Sequence, residues 1–252
     1  MPKAHHIFLA VAVALLALYL NLPFQSQPKM SAFSEANRKA FNDLSSTYSR
    51  APWQQKISQT VANALQERKD WIGVTWASPN DDREVKLLDY APFVTTIVGI
   101  DLSEKMVDEY NKAASSSPDL HATAIVGDLC AASPPPQNLQ GPEYHDFDLA
   151  VIGLGFHHFE DPALAVQRLG ERLKPGGVLV IIDFVPFGHE QRDMGEMAHT
   201  IKHDGFTQED MERLYGEGGM GEVKYDVVGD VRMELKKGSV DRTMFIARAR
   251  RA

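Results

Sequence analysis

The stretch DLAVIGLGFHHFEDPALAVQRLGERLKPGGVLVIIDF (148–184) decides the fold. It opens on the apolar run 149–152 and closes on the apolar run 178–182. Both runs are rich in Val and Ile and too short for helices. Uninterrupted apolar runs of this length fit strands buried on both faces of a parallel sheet, whereas a half-exposed strand alternates. Between them Asp161-Pro162 reads as a helix start, with an N-cap aspartate and a proline at the first helical position. Leu164, Val166, Leu169 and Leu173 form its apolar face, and Lys174-Pro175-Gly176-Gly177 ends it. Strand, helix and strand together predict a crossover unit with parallel strands.

The alternation continues in both directions. Upstream, VKLLD (85–89), TTIVGID (95–101) and ATAIVGD (122–128) read as strands. Ser103 caps a helix that runs to about Ala114, with Met106, Val107, Tyr110 and Ala114 on one face. Downstream, Thr207 and Asp210 form a capping box, and EVKYDVVGD (222–230) and RTMFIARA (242–249) are two closing strands. Residues 33–68 are helical by periodicity, interrupted at Ala51-Pro52. The predicted fold class is α/β: a doubly wound, mostly parallel sheet of the seven-stranded type. One domain, 30–252, with a helical cap over 33–70, accounts for the length.

Composition narrows the partners. The net charge of −8 argues against duplex nucleic acid, whose binding rests on phosphate neutralisation by Lys and Arg. A single cysteine, Cys130, excludes an internal disulfide and suits a reducing compartment. Residues 1–29 form a separate segment containing IFLAVAVALLALYL (7–20). Fourteen apolar residues are short for a span, which needs about 20, but 7–24 reaches that length approximately. Its uses are a single-pass membrane anchor, an optional extension with translation starting at Met30, or a cleaved signal. Lys29, Arg38 and Lys39 on its C-terminal side favour a cytoplasmic domain.

In an open parallel sheet, ligands bind at the carboxyl ends of the strands. Asp101 stands there after the second strand, where a carboxylate can accept from both hydroxyls of a ribose; a helix-capping role is the alternative. Asp128 stands after the third strand, where it can accept from an adenine amino group or simply make a turn. Met106 lies one turn into the following helix, where it can cover an adenine or pack in the core.

The ordered set TIVGID, LSEKMV, VGD, FDLAVIGLGFHHFEDP and LKPGGVLVIIDF resembles the class I S-adenosylmethionine-dependent methyltransferase family, in its small-molecule and quinone-biosynthesis-like branch, over residues 36–248. The resemblance implies S-adenosylmethionine as methyl donor and a small molecule as acceptor. It implies Asp101 on the ribose, Met106 near the adenine, Asp128 and Leu129 on the adenine edge, and Gly153 in the cleft beneath the donor. It also implies a helix near residues 41–49 that closes over the cofactor. Because the donor is a cytosolic metabolite, the expected location is the cytoplasm. His158, after the fourth strand, is the candidate general base, with a structural histidine bonded to backbone as the alternative.

One part of the family pattern is missing. The first strand should run into a glycine-rich turn and a helix, but after Asp89 come Tyr90, Ala91 and Pro92, and no glycine until Gly99. Asp89 and Asp101 are 12 positions apart, where the family has roughly twice that. Parallel neighbours need a crossover of about a dozen residues or more, and five residues of helix reach only ~7–8 Å. The first βαβ unit is therefore truncated: its strand is displaced or re-paired, or the loop and helix are absent from the chain. Donor affinity is expected to be poor. The alternative function is a non-catalytic, methyltransferase-like binding or regulatory protein. A nicotinamide-dependent oxidoreductase would need G-x-G-x-x-G after the first strand, which the chain lacks. No metal site is expected: His199 and His203, four residues apart, come without a zinc pattern.

Overall fold

The computed structural model describes residues 6–10, 30–48, 50–74, 76, 94, 96–116, 121–131, 136–187, 195–235 and 238–252. Seven strands form one sheet: β1 (His6–Ala10), β2 (Thr96–Asp101), β3 (His121–Val126), β4 (Phe147–Gly153), β5 (Leu173–Phe184), β6 (Met220–Leu235) and β7 (Gly238–Arg251). Their order is β3-β2-β1-β4-β5-β7-β6. The first five are parallel, and β7 runs antiparallel between β5 and β6. The helices are α1 (Ala32–Leu44), α2 (Pro52–Glu67), α3 (Lys69–Ile72), α4 (Glu104–Ala114), α5 (Pro162–Gly170) and α6 (Gln208–Glu217).

The apolar runs are buried on both sides, as their texture predicts. In β5, Leu179 and Ile181 pack with Val166 and Leu169 of α5 and Met211 and Tyr215 of α6. Val178, Val180 and Ile182 pack on the opposite face with Ile57 and Leu65 of α2 and Ile72 of α3. Each large aliphatic side chain so enclosed stabilises the fold by about 1.5–3 kcal/mol. The expected caps form. Ser103 Oγ accepts from Met106 N–H at 3.4 Å, Asp161 Oδ1 accepts from Leu164 N–H at 2.9 Å, and the Thr207–Asp210 box closes both ways.

Three readings of the sequence change. The helix after Asp161 ends at Gly170, and Leu173 belongs to β5, paired with Phe147 of β4. The LKPGG turn is thus held against the sheet: a Cβ on Gly177 would lie 2.9 Å from the carbonyl oxygens of Phe147 and Lys174. Second, the slot between β2 and β4, where the first strand of this sheet order belongs, is filled by His6–Ala10. The segment 85–89, read as that strand, lies outside the described residues. The short link to β2 explains the exchange, because a strand ending at Asp89 cannot pass over the sheet and re-enter beside β2 within a few residues. Third, Ile7–Ala10 are drawn into the sheet, so the apolar stretch 7–24 is not a continuous helix. Among the described residues no helix is long and apolar enough to cross a membrane.

Candidate functional site

The carboxyl ends of β2, β3 and β4 open on one cavity of about 620 Å³, within the range of small-molecule sites. Asp101, the last residue of β2, is 3% exposed. Its Oδ1 accepts from Ser103 N–H at 3.3 Å, which turns the carboxylate back toward the start of α4. Burial holds its carboxyl well above the ordinary carboxylate value. Asp128 stands two residues beyond β3, with Oδ1 accepting from Cys130 N–H at 2.9 Å. Burial raises its carboxyl, the backbone N–H groups of Cys130 and Ala131 oppose this, and the charge of Glu160 adds to the rise. Asp101, Met106, Asp128, Leu129, Gly153 and His158 all line this cavity. Six residues from three segments of the chain, at the ends of β2, β3 and β4, therefore meet at this site.

The rim beyond β4 is shaped by backbone. Leu154 has φ 55°, a conformation that non-glycine residues seldom adopt, and its N–H donates to Ile182 O at 2.8 Å. The chain then makes a tight turn at Phe156–His158. Asp183, fully buried at the end of β5, fastens this turn. It accepts from His157 N–H at 3.0 Å and bonds His157 Nδ1 at 2.7 Å. Burial pushes the Asp183 carboxyl up, but the charge and hydrogen bonds of His157 and the Phe184 N–H outweigh it, so the group sits below the ordinary value. Next to it, His158 Nδ1 lies 2.7 Å from Thr200 O. A carbonyl can only accept, so Nδ1 carries the proton and Nε2 keeps a free lone pair. Burial, with His157 beside it, pushes His158 down to about 3, against the smaller pull of Thr200. His158 is thus a neutral imidazole packed edge-on to Phe41, with ring centroids 5.2 Å apart.

Helix α1 roofs the cavity and is clamped at both ends. Asn42 Oδ1 accepts from Ser103 Oγ at 2.6 Å and from Lys105 N–H at 3.1 Å, so it ties α1 to the start of α4. Arg38 pairs with Glu104. At the other end Ser31 Oγ donates to Glu160 Oε2 at 2.5 Å. Between the clamps, Asn37 faces the cavity at 3% exposure. The sequence reading did not single out Asn37, Asn42 or Asp183. The available signal was Asn37 itself, a polar residue four positions from both Phe33 and Phe41 on the apolar side of a helix. Cys130 also lines the cavity, where burial pushes its thiol up and leaves it unreactive. Gly127 lies against the Leu139 side chain, which a Cβ there would meet at 2.8 Å.

The raised Asp101 carboxyl has a measurable consequence. An acid whose value rises on folding favours the folded state while protonated and penalises it once ionised. The penalty is absent below the ordinary carboxylate value and complete above the raised one. Asp101→Asn is therefore expected to stabilise the domain by about 1–2 kcal/mol at neutral pH, or ~2–8 °C in Tm. The gain should vanish in acid. Thermal melts of both proteins from pH 4 to 8 check this, and an unchanged or lowered Tm at pH 7 contradicts it.

Comparison with known proteins fits this architecture. A methyltransferase domain family matches residues 83–181. The chain is 30% identical over 155 residues to the uncharacterized methyltransferase C1347.09 of Schizosaccharomyces pombe, covering 57% of this chain and 51% of that protein. It is 30% identical over 101 residues to the uncharacterized protein YafE of Escherichia coli, covering 40% of this chain and 45% of that one. The chain thus spans about half the length of the curated relatives it matches. Among solved structures, a SAM-dependent methyltransferase of Thermotoga maritima, described as a possible histamine N-methyltransferase, superposes with a TM-score of 0.54 at 16% identity. The match covers 85% of this chain and 99% of that one, and speaks for the fold. The methyltransferase-domain match over residues 83–181 and the fold shared with the Thermotoga structure agree with the methyltransferase resemblance of the sequence.

Proposed function

We propose that this fold serves methyl transfer from S-adenosylmethionine to a small-molecule acceptor, and that the chain is impaired in holding the donor. One observation carries the reading: Asp101, Asp128 and His158, from the ends of three strands, line a single cavity. In this reading Asp101 accepts from the ribose hydroxyls, Met106 covers the adenine, and Asp128 with the Leu129 N–H reads the adenine edge. Gly153, without a side chain, leaves room beneath the reacting end. The acidic lining (Asp101, Asp128, Glu160 and Asp161) suits a donor that carries a positive sulfonium. When bound, the donor supplies the electrophilic methyl group; the protein contributes proximity and alignment. His158, held neutral, offers Nε2 as a hydrogen-bond acceptor that orients the attacking group. With its value near 3, Nε2 orients the nucleophile rather than taking up its proton at neutral pH.

The impairment follows from the chain's glycines. The first glycine after β1 is Gly73, and none lies between Asp89 and Gly99. No glycine turn therefore follows either candidate for the first strand, and the methionine end of the donor lacks its backbone cradle. The expected dissociation constant for S-adenosylmethionine is weaker than ~100 μM, about −5.5 kcal/mol. Titration calorimetry tests it, and a low-micromolar constant would defeat the impairment. A non-catalytic binding role is the second reading, favoured by the same missing turn; total absence of donor binding even at millimolar concentration would select it. For the N-terminal segment we favour the sheet role of His6–Ala10 over a single-pass anchor, and flotation of the intact chain with liposomes would reverse that preference.

A further inference from the structure

The roof of the cavity holds a polar group that donor binding does not use. Asn37 lies in the middle of α1, almost wholly buried, and lines the cavity. Its Nδ2 donates to Phe33 O at 3.1 Å. Because a backbone carbonyl only accepts, this bond fixes the amide orientation and leaves Oδ1 as the free end. Oδ1 has no hydrogen-bond partner among the described residues. Buried polar atoms are rarely left so, and such exceptions call for a ligand or another explanation. Asn37 is one helical turn from Phe41, whose ring packs on His158. Its face of α1 therefore looks toward His158, after β4, where the reacting end of the site lies.

The chemistry of this part of the wall points one way. Two neutral residues with an acceptor unused by the protein, Asn37 and His158, line it, and the Glu160 carboxylate lies in the same cavity. Among the described residues that line the cavity there is no Lys or Arg. A carboxylate or phosphate entering here would lose its water and meet acceptors and negative charge. A molecule with N–H or O–H groups would give Asn37 the bond it lacks, without displacing an existing partner. Phe41 and Phe159, also in the lining, offer apolar contact for its body.

We propose that the methyl acceptor is an uncharged or cationic small molecule with an N–H or O–H group that donates to Asn37 Oδ1, and that Asn37 selects it against anionic molecules. This inference rests on the methyl-transfer reading, since it assigns the acceptor half of the same cavity. Its test uses three matched probes, 2-phenylethylammonium, 2-phenylethanol and phenylacetate, titrated into the full chain by ligand-observed NMR. S-adenosylhomocysteine is titrated separately.

Phenylacetate is expected to bind about tenfold more weakly than the ammonium probe. Asn37→Leu, close in size, should weaken the ammonium and alcohol probes by about five- to tenfold and leave phenylacetate unchanged. Asn37→Asp should widen the ratio between the ammonium and phenylacetate, and it guards against a packing defect in the leucine variant. Phenylacetate binding as well as the ammonium overturns the proposal, as does binding of none of the three. A loss of S-adenosylhomocysteine affinity in Asn37→Leu with an unchanged probe ranking also overturns it, by moving Asn37 to the donor half. If the ranking holds but S-adenosylhomocysteine never binds, the preference of the site stands and the methyl-transfer reading falls.

Discussion

Removal of residues 1–29 is expected to unfold the domain. In the sheet β1 is the strand between β2 and β4, with five residues in register with β2 and three with β4. Without it, two central strands expose facing rows of unpaired N–H and C=O groups. Ile97, Ile100, Leu149 and Ala150, all 3% exposed or less, lie on those strands and would lose their cover. An unsatisfied buried backbone group costs about 1–3 kcal/mol, and a domain has only about 5–15 kcal/mol in total. A few such groups are enough to cancel that margin. The segment 85–89 cannot step in, because the link to β2 is too short for a parallel neighbour. Residues 30–252 should therefore give a broad, non-cooperative melt and aggregate where the full chain melts cooperatively. Circular dichroism of the two proteins checks this; a sharp transition in the truncated chain at an unchanged Tm would mean that another segment fills the slot.

Insertion of a glycine-rich turn and a short helix, about a dozen residues, between Tyr90 and Ala91 should have the second large effect. It gives the segment 85–89 the length to cross the sheet and enter the slot now held by β1. It also restores backbone N–H and C=O groups against the charged amino-acid end of the donor. Two hydrogen bonds to charged groups at about 1.5 kcal/mol each amount to roughly a hundredfold in affinity. The constant for S-adenosylmethionine should move from weaker than ~100 μM to the low-micromolar range. In the inserted chain, residues 1–29 should become dispensable for folding. Calorimetry and thermal melts of the inserted chain, with and without 1–29, test both statements. No gain in affinity would mean that the missing turn is not what limits donor binding.

The clamps on α1 connect these effects to the site. Asn42 and Arg38 hold α1 to the start of α4, and Ser31 holds it to Glu160. The roof is therefore fixed to the segments that follow β2 and β4, the two strands that flank β1. A change in the central slot is therefore expected to reach the cavity through these strands.

Much of this was legible in the residues. The runs 149–152 and 178–182, the Asp161-Pro162 start and the Thr207–Asp210 box act within a few positions of themselves, and each formed where its local chemistry places it. Asp101 and Asp128 were readable as site candidates because a strand's end fixes their position along the sheet. His158 was readable as a rim residue, but which ring nitrogen carries its proton is fixed by Thr200 O, 42 positions away. The unpaired Asn37 carbonyl was not readable, because periodicity cannot tell whether a buried amide finds a partner across the cavity.

By itself, then, the sequence determined the layered α/β architecture and the strand ends that bear carboxylates. Those features follow from short-range periodicity, capping and burial. Tertiary structure alone decided which segment fills the central slot and which polar atoms are left for a ligand. These depend on contacts between residues far apart in the chain, where many pairings satisfy the same local pattern and only simultaneous packing selects one.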